Sequence, residues 1–145
     1  MRSLIILSTG VLLAAVQAAC EYTGDRPNNT APISSEPHRS TANAARIIER
    51  QSSGRSSGPG YGTSMQPVFG DNVYFVIAPI NFEDLRSGML IAYRNLGGAR
   101  VVHRIVAKEG KYWTVEGINN RYDDADYVTK ENLIGIVYGT FHANQ

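Results

Sequence analysis

Apolar residues fall in short runs through the second half of this chain, separated by polar turns. Residues 73–78, 89–94, 100–107, 112–116 and 133–140 are rich in β-branched, aliphatic and aromatic side chains. Between them lie 81–87, then 95–99 with Gly97-Gly98, then Lys108-Glu109-Gly110-Lys111. Short apolar runs bounded by Gly- and Asn-containing turns predict strands and hairpins. Five such strands within residues 61–141, with no long amphipathic helix, predict a mainly β domain built as a small coiled barrel. A unit of that size buries only a modest core.

The first sixty residues follow different rules. Met1-Arg2 is a short positive start, and residues 4–16 are almost wholly apolar before Val16-Gln17-Ala18. That pattern over residues 1–19 predicts a signal peptide or membrane anchor, shorter than the roughly 20 apolar residues of a spanning helix. Export to a periplasmic or other extracytoplasmic location follows. Cys20 is the only cysteine, so no intrachain disulfide forms. Placed after Ala18-Ala19 it resembles the lipidation acceptor of a bacterial lipoprotein, although Gln17 stands where an aliphatic residue is usual. A lipid there would tether the chain to a membrane surface.

Residues 20–60 read as a flexible linker, since Ser, Gly, Pro, Thr and Asn dominate and apolar residues are too few to offset ordering entropy. Within it, 41–51 is expected to form a short helix with Thr41 as cap and Ile47-Ile48 as its apolar face, and 52–60 a flexible tract. The net charge of +1 is mixed along the chain, with no basic stripe for phosphate contacts, which disfavours nucleic-acid binding. One cysteine and scattered carboxylates give no zinc spacing, so neither metal nor cofactor is expected.

Three segments carry candidate chemistry: Gly62-Thr63-Ser64-Met65-Gln66-Pro67, Arg100-Val101-Val102-His103-Arg104-Ile105 and Asn119-Asn120-Arg121-Tyr122-Asp123-Asp124. They hold a hydroxyl, an imidazole and a carboxylate, the types that together activate a nucleophile for acyl transfer. Each also has a plainer reading. Ser64 suits a turn, His103 a satisfied core position, and Asp123-Asp124 a polar turn. His38 and His142 lie in the linker and near the end of the chain. In the strand, Val101, His103 and Ile105 share one face while Val102, Arg104 and Val106 share the other.

Taken in order, 39 residues (64 to 103) and 21 residues (103 to 124) apart, the three boxes resemble the S24/S26 serine peptidases. The likeness is nearest to the Ser-His branch of type I signal peptidases, the archaeal and endoplasmic-reticulum type. Gly-Thr-Ser-Met-Gln-Pro is similar to that family's small-Ser-Met-x-Pro box, Val-Val-His-Arg-Ile-Val to its His-Arg box, and Gly117-Ile118-Asn119-Asn120 with the following Asp pair to its Gly-Asp-Asn-Asn-x-x-Asp-Asp box. Two positions depart: Ile118 replaces the first aspartate, and Met89 follows Gly88 where an acid is usual. The DNA-binding domain of S24 repressors has no counterpart here.

The resemblance implies a coiled barrel of the signal peptidase type. It implies a serine endopeptidase that cleaves extended peptides after small residues through an acyl-enzyme. Ser64 would be nucleophile, His103 general base and Asp124 the acid that orients it, with Asp123 in reserve. Thr63 and Ser64 would form the oxyanion hole, Arg104 and Asp71 would be structural, and the partner would be a polypeptide substrate. The alternative is a catalytically silent peptide-binding module on the same barrel. A third reading is a domain that cleaves only its own residues 21–60.

Overall fold

Why the later segments become strands is visible in their pairing. The computed structural model describes residues 31–145. Helix α1 (His38–Arg50) leads into β1 (Ser56–Pro59), β2 (Val73–Ala78), β3 (Leu90–Arg94), β4 (Arg100–Glu109), β5 (Tyr112–Glu116), β6 (Tyr127–Val128) and β7 (Leu133–His142). A single 3-10 turn, Phe82–Asp84, joins β2 to β3. The five expected strands are present, extended at β4 and β7. All pairings are antiparallel, in the order β1-β2-β7-β3-β4-β5-β6.

The mainly β expectation holds: the strands form one curled half-barrel sheet, with β1 and β6 at the ends of the strand order. Irregularities at Val76/Ile77, Ala92/Tyr93 and Ile105/Lys108 interrupt the ladders. Bulges of this kind bend a strand and increase its twist. The long β7 bridges the two halves: residues 136–142 pair with β2 and residues 133–136 with β3. Two apolar clusters fill the curl. Leu85, Ile91, Tyr93, Ile105, Trp113, Val115 and Val128 form one; Met65, Phe69, Val73, Phe75, Ile77 and Ala92 form the other. Because Ile91 and Tyr93 point opposite to Ala92, β3 is buried on both faces.

The linker expectation is corrected for residues 32–60, which are built into the fold. Helix α1 starts three residues before Thr41, after Pro37, a residue that suits the beginning of a helix. Thr41 is therefore inside the helix, its hydroxyl donating to the Pro37 carbonyl at 3.1 Å. The buried face is Thr41 and Ala45, an i, i+4 pair, whereas Ile47 is exposed. This face packs on β1, β2 and β7. The Ser57 hydroxyl donates to Glu49, and Arg55 both donates to the Ile48 carbonyl and stacks on Tyr138, 3.8 Å from the ring centre.

Residues 32–36 and 142–144 meet beside the start of β2. Asn72, buried, donates through Nδ2 to the carbonyls of Pro32 (3.0 Å) and Ala143 (2.8 Å), and the Asn144 amide donates to Glu36 at 2.7 Å. The candidate signal segment and Cys20 lie outside the described residues. Among the described residues no helix is long and apolar enough to cross a membrane.

Two stability predictions follow from the sheet. A Cβ at Gly135 would fall inside van der Waals contact of the Ala78 carbonyl oxygen, backbone that cannot swing away. Gly135→Ala should destabilise the domain by about 1–3 kcal/mol, read as a lower urea midpoint. His142 has a buried Nδ1 without a hydrogen-bond partner, and burial lowers its pKa below the ordinary 6.5. The unfolded chain therefore takes up this proton first. The contribution is whole above pH 6.5 and is lost as pH falls below it towards the folded-state value. The urea midpoint should decline over that window, and less steeply in His142→Phe.

Candidate active site

The Ser64 turn is held from three sides. Upstream, Gly62 adopts φ +98°, a left-handed conformation that favours glycine, and its N–H donates to the Asp71 carboxylate. Asp71 is thus a turn acid. Within the turn, the Gln66 amide donates to the Thr63 carbonyl (3.1 Å) and the Val68 amide to the Met65 carbonyl (2.9 Å). Met65 and Phe69 anchor it in the second apolar cluster. Opposite, Asn119 staples the turn to the loop after β5: its amide N–H donates to the Ser64 carbonyl at 2.7 Å and its Nδ2 to the Thr63 carbonyl at 3.2 Å.

His103 lies in β4 directly across from Ile91. The strand alternation read from the sequence holds: His103 and Ile105 are buried, and Arg104 turns away to pair with Glu116 on β5. His103 Nε2 stands 3.0 Å from Ser64 Oγ, and its Nδ1 is hydrogen-bonded to Asp124 Oδ2. Asp124 is positioned by its own backbone, whose N–H donates to the Val115 carbonyl at 2.9 Å. The three residues named from sequence, Ser64, His103 and Asp124, thereby meet in one hydrogen-bonded row. Asp123 is exposed and makes no hydrogen bond to His103.

Two further residues belong to the site that sequence reasoning did not single out as such. Asn119 was legible only as a turn residue. Tyr93, in the middle of apolar β3, donates its hydroxyl to the same Asp124 Oδ2 at 2.8 Å. Burial, and then its bond to Asp124, push the Tyr93 hydroxyl pKa well up, so the phenol keeps its proton. Ile118, where an aspartate was expected by resemblance, packs against the apolar cluster beneath Ser64.

The row opens into a groove of about 550 Å³ lined by Gly58, Pro59 and Gly60 on one side and Arg100, Val101 and Val102 on the other. Met65, Phe69, Val73, Phe75 and Ile77 form its apolar floor. The two walls are unpaired strand edges. β1 pairs only with β2, and residues 100–103 of β4 pair with β3 but not with β5, whose ladder begins at Arg104. Among the described residues no group of three or more His, Cys, Asp or Glu side chains converges as a metal would require.

Such an arrangement can take a proton from the Ser64 hydroxyl onto Nε2 while Nδ1 stays bonded to the carboxylate. The backbone N–H of Ser64 donates to no protein group among the described residues. Comparison with known proteins adds nothing to this description: no family model and no curated protein matches the chain. The likeness to S24/S26 peptidases rests on the three sequence boxes.

Gly117 sets how closely the acid loop approaches the serine. A Cβ there would lie 2.8 Å from the Ser64 carbonyl oxygen and 2.6 Å from Asn120 Nδ2. Gly117→Ala should push the Ser64 turn away and lengthen the Oγ–Nε2 contact. The expected outcome is at least a tenfold slower reaction of Ser64 with a serine-directed acylating probe, near-UV circular dichroism being retained.

Proposed function

We propose that this chain is a serine endopeptidase resembling type I signal peptidase, with Ser64 as nucleophile, His103 as general base and Asp124 as the carboxylate that orients it. The observation that carries the reading is the unbroken row from Ser64 Oγ through the His103 ring to Asp124 at the mouth of a groove. Ser64 Oγ attacks the peptide carbonyl as its proton moves to His103 Nε2. The carbonyl oxygen, now negative, sits against the Ser64 N–H, with Thr63 completing the hole. Collapse expels the amine, which takes the proton from His103 Nε2. Water then attacks the acyl carbonyl as His103 Nε2 takes its proton; the bond to Ser64 Oγ breaks, the acid product leaves and Nε2 returns the proton to Ser64 Oγ.

The groove supports an extended peptide as substrate. Two facing strand edges can each offer main-chain donors and acceptors to an inserted strand, giving affinity without regard to sequence. Specificity then lies in the pockets for alternate side chains, small residues before the scissile bond on the family likeness. Position relative to a membrane also fits. In sequence, residues 21–30 separate Cys20 from Ala31, which lies against Gly70 in the segment that follows Ser64, so an anchor at Cys20 would limit how far Ser64 could stand from the surface.

A second reading has its own support in Ile118, an apolar residue where the family carries an acid. On that reading the groove binds extended peptides and Ser64 does not react. The two part on one measurement. Intact mass after treatment with a β-lactam or lipopeptide-type acylating inhibitor should show one adduct on Ser64. It should be lost in both Ser64→Ala and His103→Ala, and each variant should cleave an Ala-x-Ala peptide at least 10³-fold more slowly than wild type. A folded wild-type chain that forms no adduct and leaves the peptide intact points to the binding module instead.

A further inference from the structure

We infer that Tyr93 is a positioning residue for this site, fixing the Asp124 carboxylate that in turn holds His103. The inference rests on the peptidase reading of Ser64, His103 and Asp124. Its basis is a shared atom. Asp124 Oδ2 accepts from the Tyr93 hydroxyl at 2.8 Å and from His103 Nδ1.

The register explains how they meet. On the paired strands β3 and β4, Ile91 faces His103 and Tyr93 faces Val101. Tyr93 and His103 are therefore diagonal neighbours on one face, close enough for long side chains to converge on a common partner. Their rings lie 6.4 Å apart, centre to centre. Tyr93 is 1 % exposed, at the centre of the first apolar cluster. A core strand needs only a ring there, and phenylalanine would supply it. The hydroxyl at that depth requires an acceptor, and Asp124 is the one it has.

Two donors on one oxygen do more than hold a rotamer. The tyrosine shares the carboxylate charge that would otherwise fall wholly on the imidazole. It thus moderates how strongly Asp124 stabilises the protonated ring, as well as aiming it. The other charged groups around the pair leave this role to Tyr93. Arg104 is engaged with Glu116 on the opposite face, Arg94 donates to the Gly98 carbonyl, Asp126 accepts from the Leu96 amide, and Arg100 lies at the groove rim.

Tyr93→Phe in the full chain is the test, read three ways. Acylation of Ser64 by a serine-directed probe should slow about 10- to 100-fold while probe binding is unchanged, the size expected for one hydrogen bond to a charged group. The rate–pH profile should change, because the carboxylate bonded to the ring has lost one of its two donors. The low-field proton resonance of His103 Nδ1–H should shift. In an Asp124→Asn background the same substitution should change the rate no further, since Tyr93 acts through Asp124. An unshifted resonance in Tyr93→Phe, with rate and pH profile like wild type, overturns the proposal. If the wild-type chain is never acylated, the peptidase reading fails by itself. The resonance then still decides whether Tyr93 positions the His103–Asp124 pair.

Discussion

The β3–β4 register is the constraint on which the rest depends. Side chains alternate along a strand, so a slip of one residue would carry His103 to the opposite face, away from both Asp124 and Ser64. Several devices pin that register. The turn at 95–99 is closed by Asn95 and Ala99 backbone and side-chain bonds, with Gly98 at φ +82°. Ile91, Tyr93 and Ile105 are buried on the same face as His103, and burying each large apolar side chain is worth roughly 1.5–3 kcal/mol. A slipped hairpin would expose all three. The apolar core therefore aims the imidazole.

A buried carboxylate is costly unless its oxygens are satisfied. Asp124, with its side chain 14 % exposed, meets that requirement through donors from two different strands, Tyr93 on β3 and His103 on β4. The loop that carries it is fastened at both ends of the approach: the Asp124 amide to Val115, and the Asn119 amide to the Ser64 carbonyl. Ser64 and Asp124 are thus tied to each other through backbone as well as through the histidine ring. Gly117 allows the close approach between them. On the proposed reading, preorganisation of this kind means that little has to move when charge develops on the ring.

Local pattern carried much of this and failed where pattern is silent. The strands with an apolar period (β2, β3, β4, β5 and β7) were legible, because a buried face leaves its mark in sequence. β1 was not, since Ser-Ser-Gly-Pro has no apolar side to alternate and is a strand only by pairing with β2. β6 spans two residues and left no period to read. The segment 32–60 looked like a linker because its holding contacts are polar: Asn72 to Pro32 and Ser34 to His142 come from far along the chain, and Ser57 to Glu49 from within it. At the site, Ser64, His103 and Asp124 could be named because three boxes, none decisive alone, follow one another in order. Tyr93 could not, as a tyrosine in an apolar run reads as core until its hydroxyl is seen to have a partner.

The open edge of the sheet is where fold and chemistry join. A closed barrel would pair every strand and leave no main chain for another polypeptide to meet. Here β1 is short and ends in Pro59, which lacks an N–H, and the first residues of β4 lie beyond the reach of β5. The first limits edge-to-edge association, while the second leaves β4 main chain unpaired along the groove. Ser64 stands at the end of that groove because its turn directly connects β1 to β2. On the proposed reading, a chain laid between the two edges is carried past the hydroxyl by its own backbone hydrogen bonds. The side chains then need only decide which carbonyl stops there.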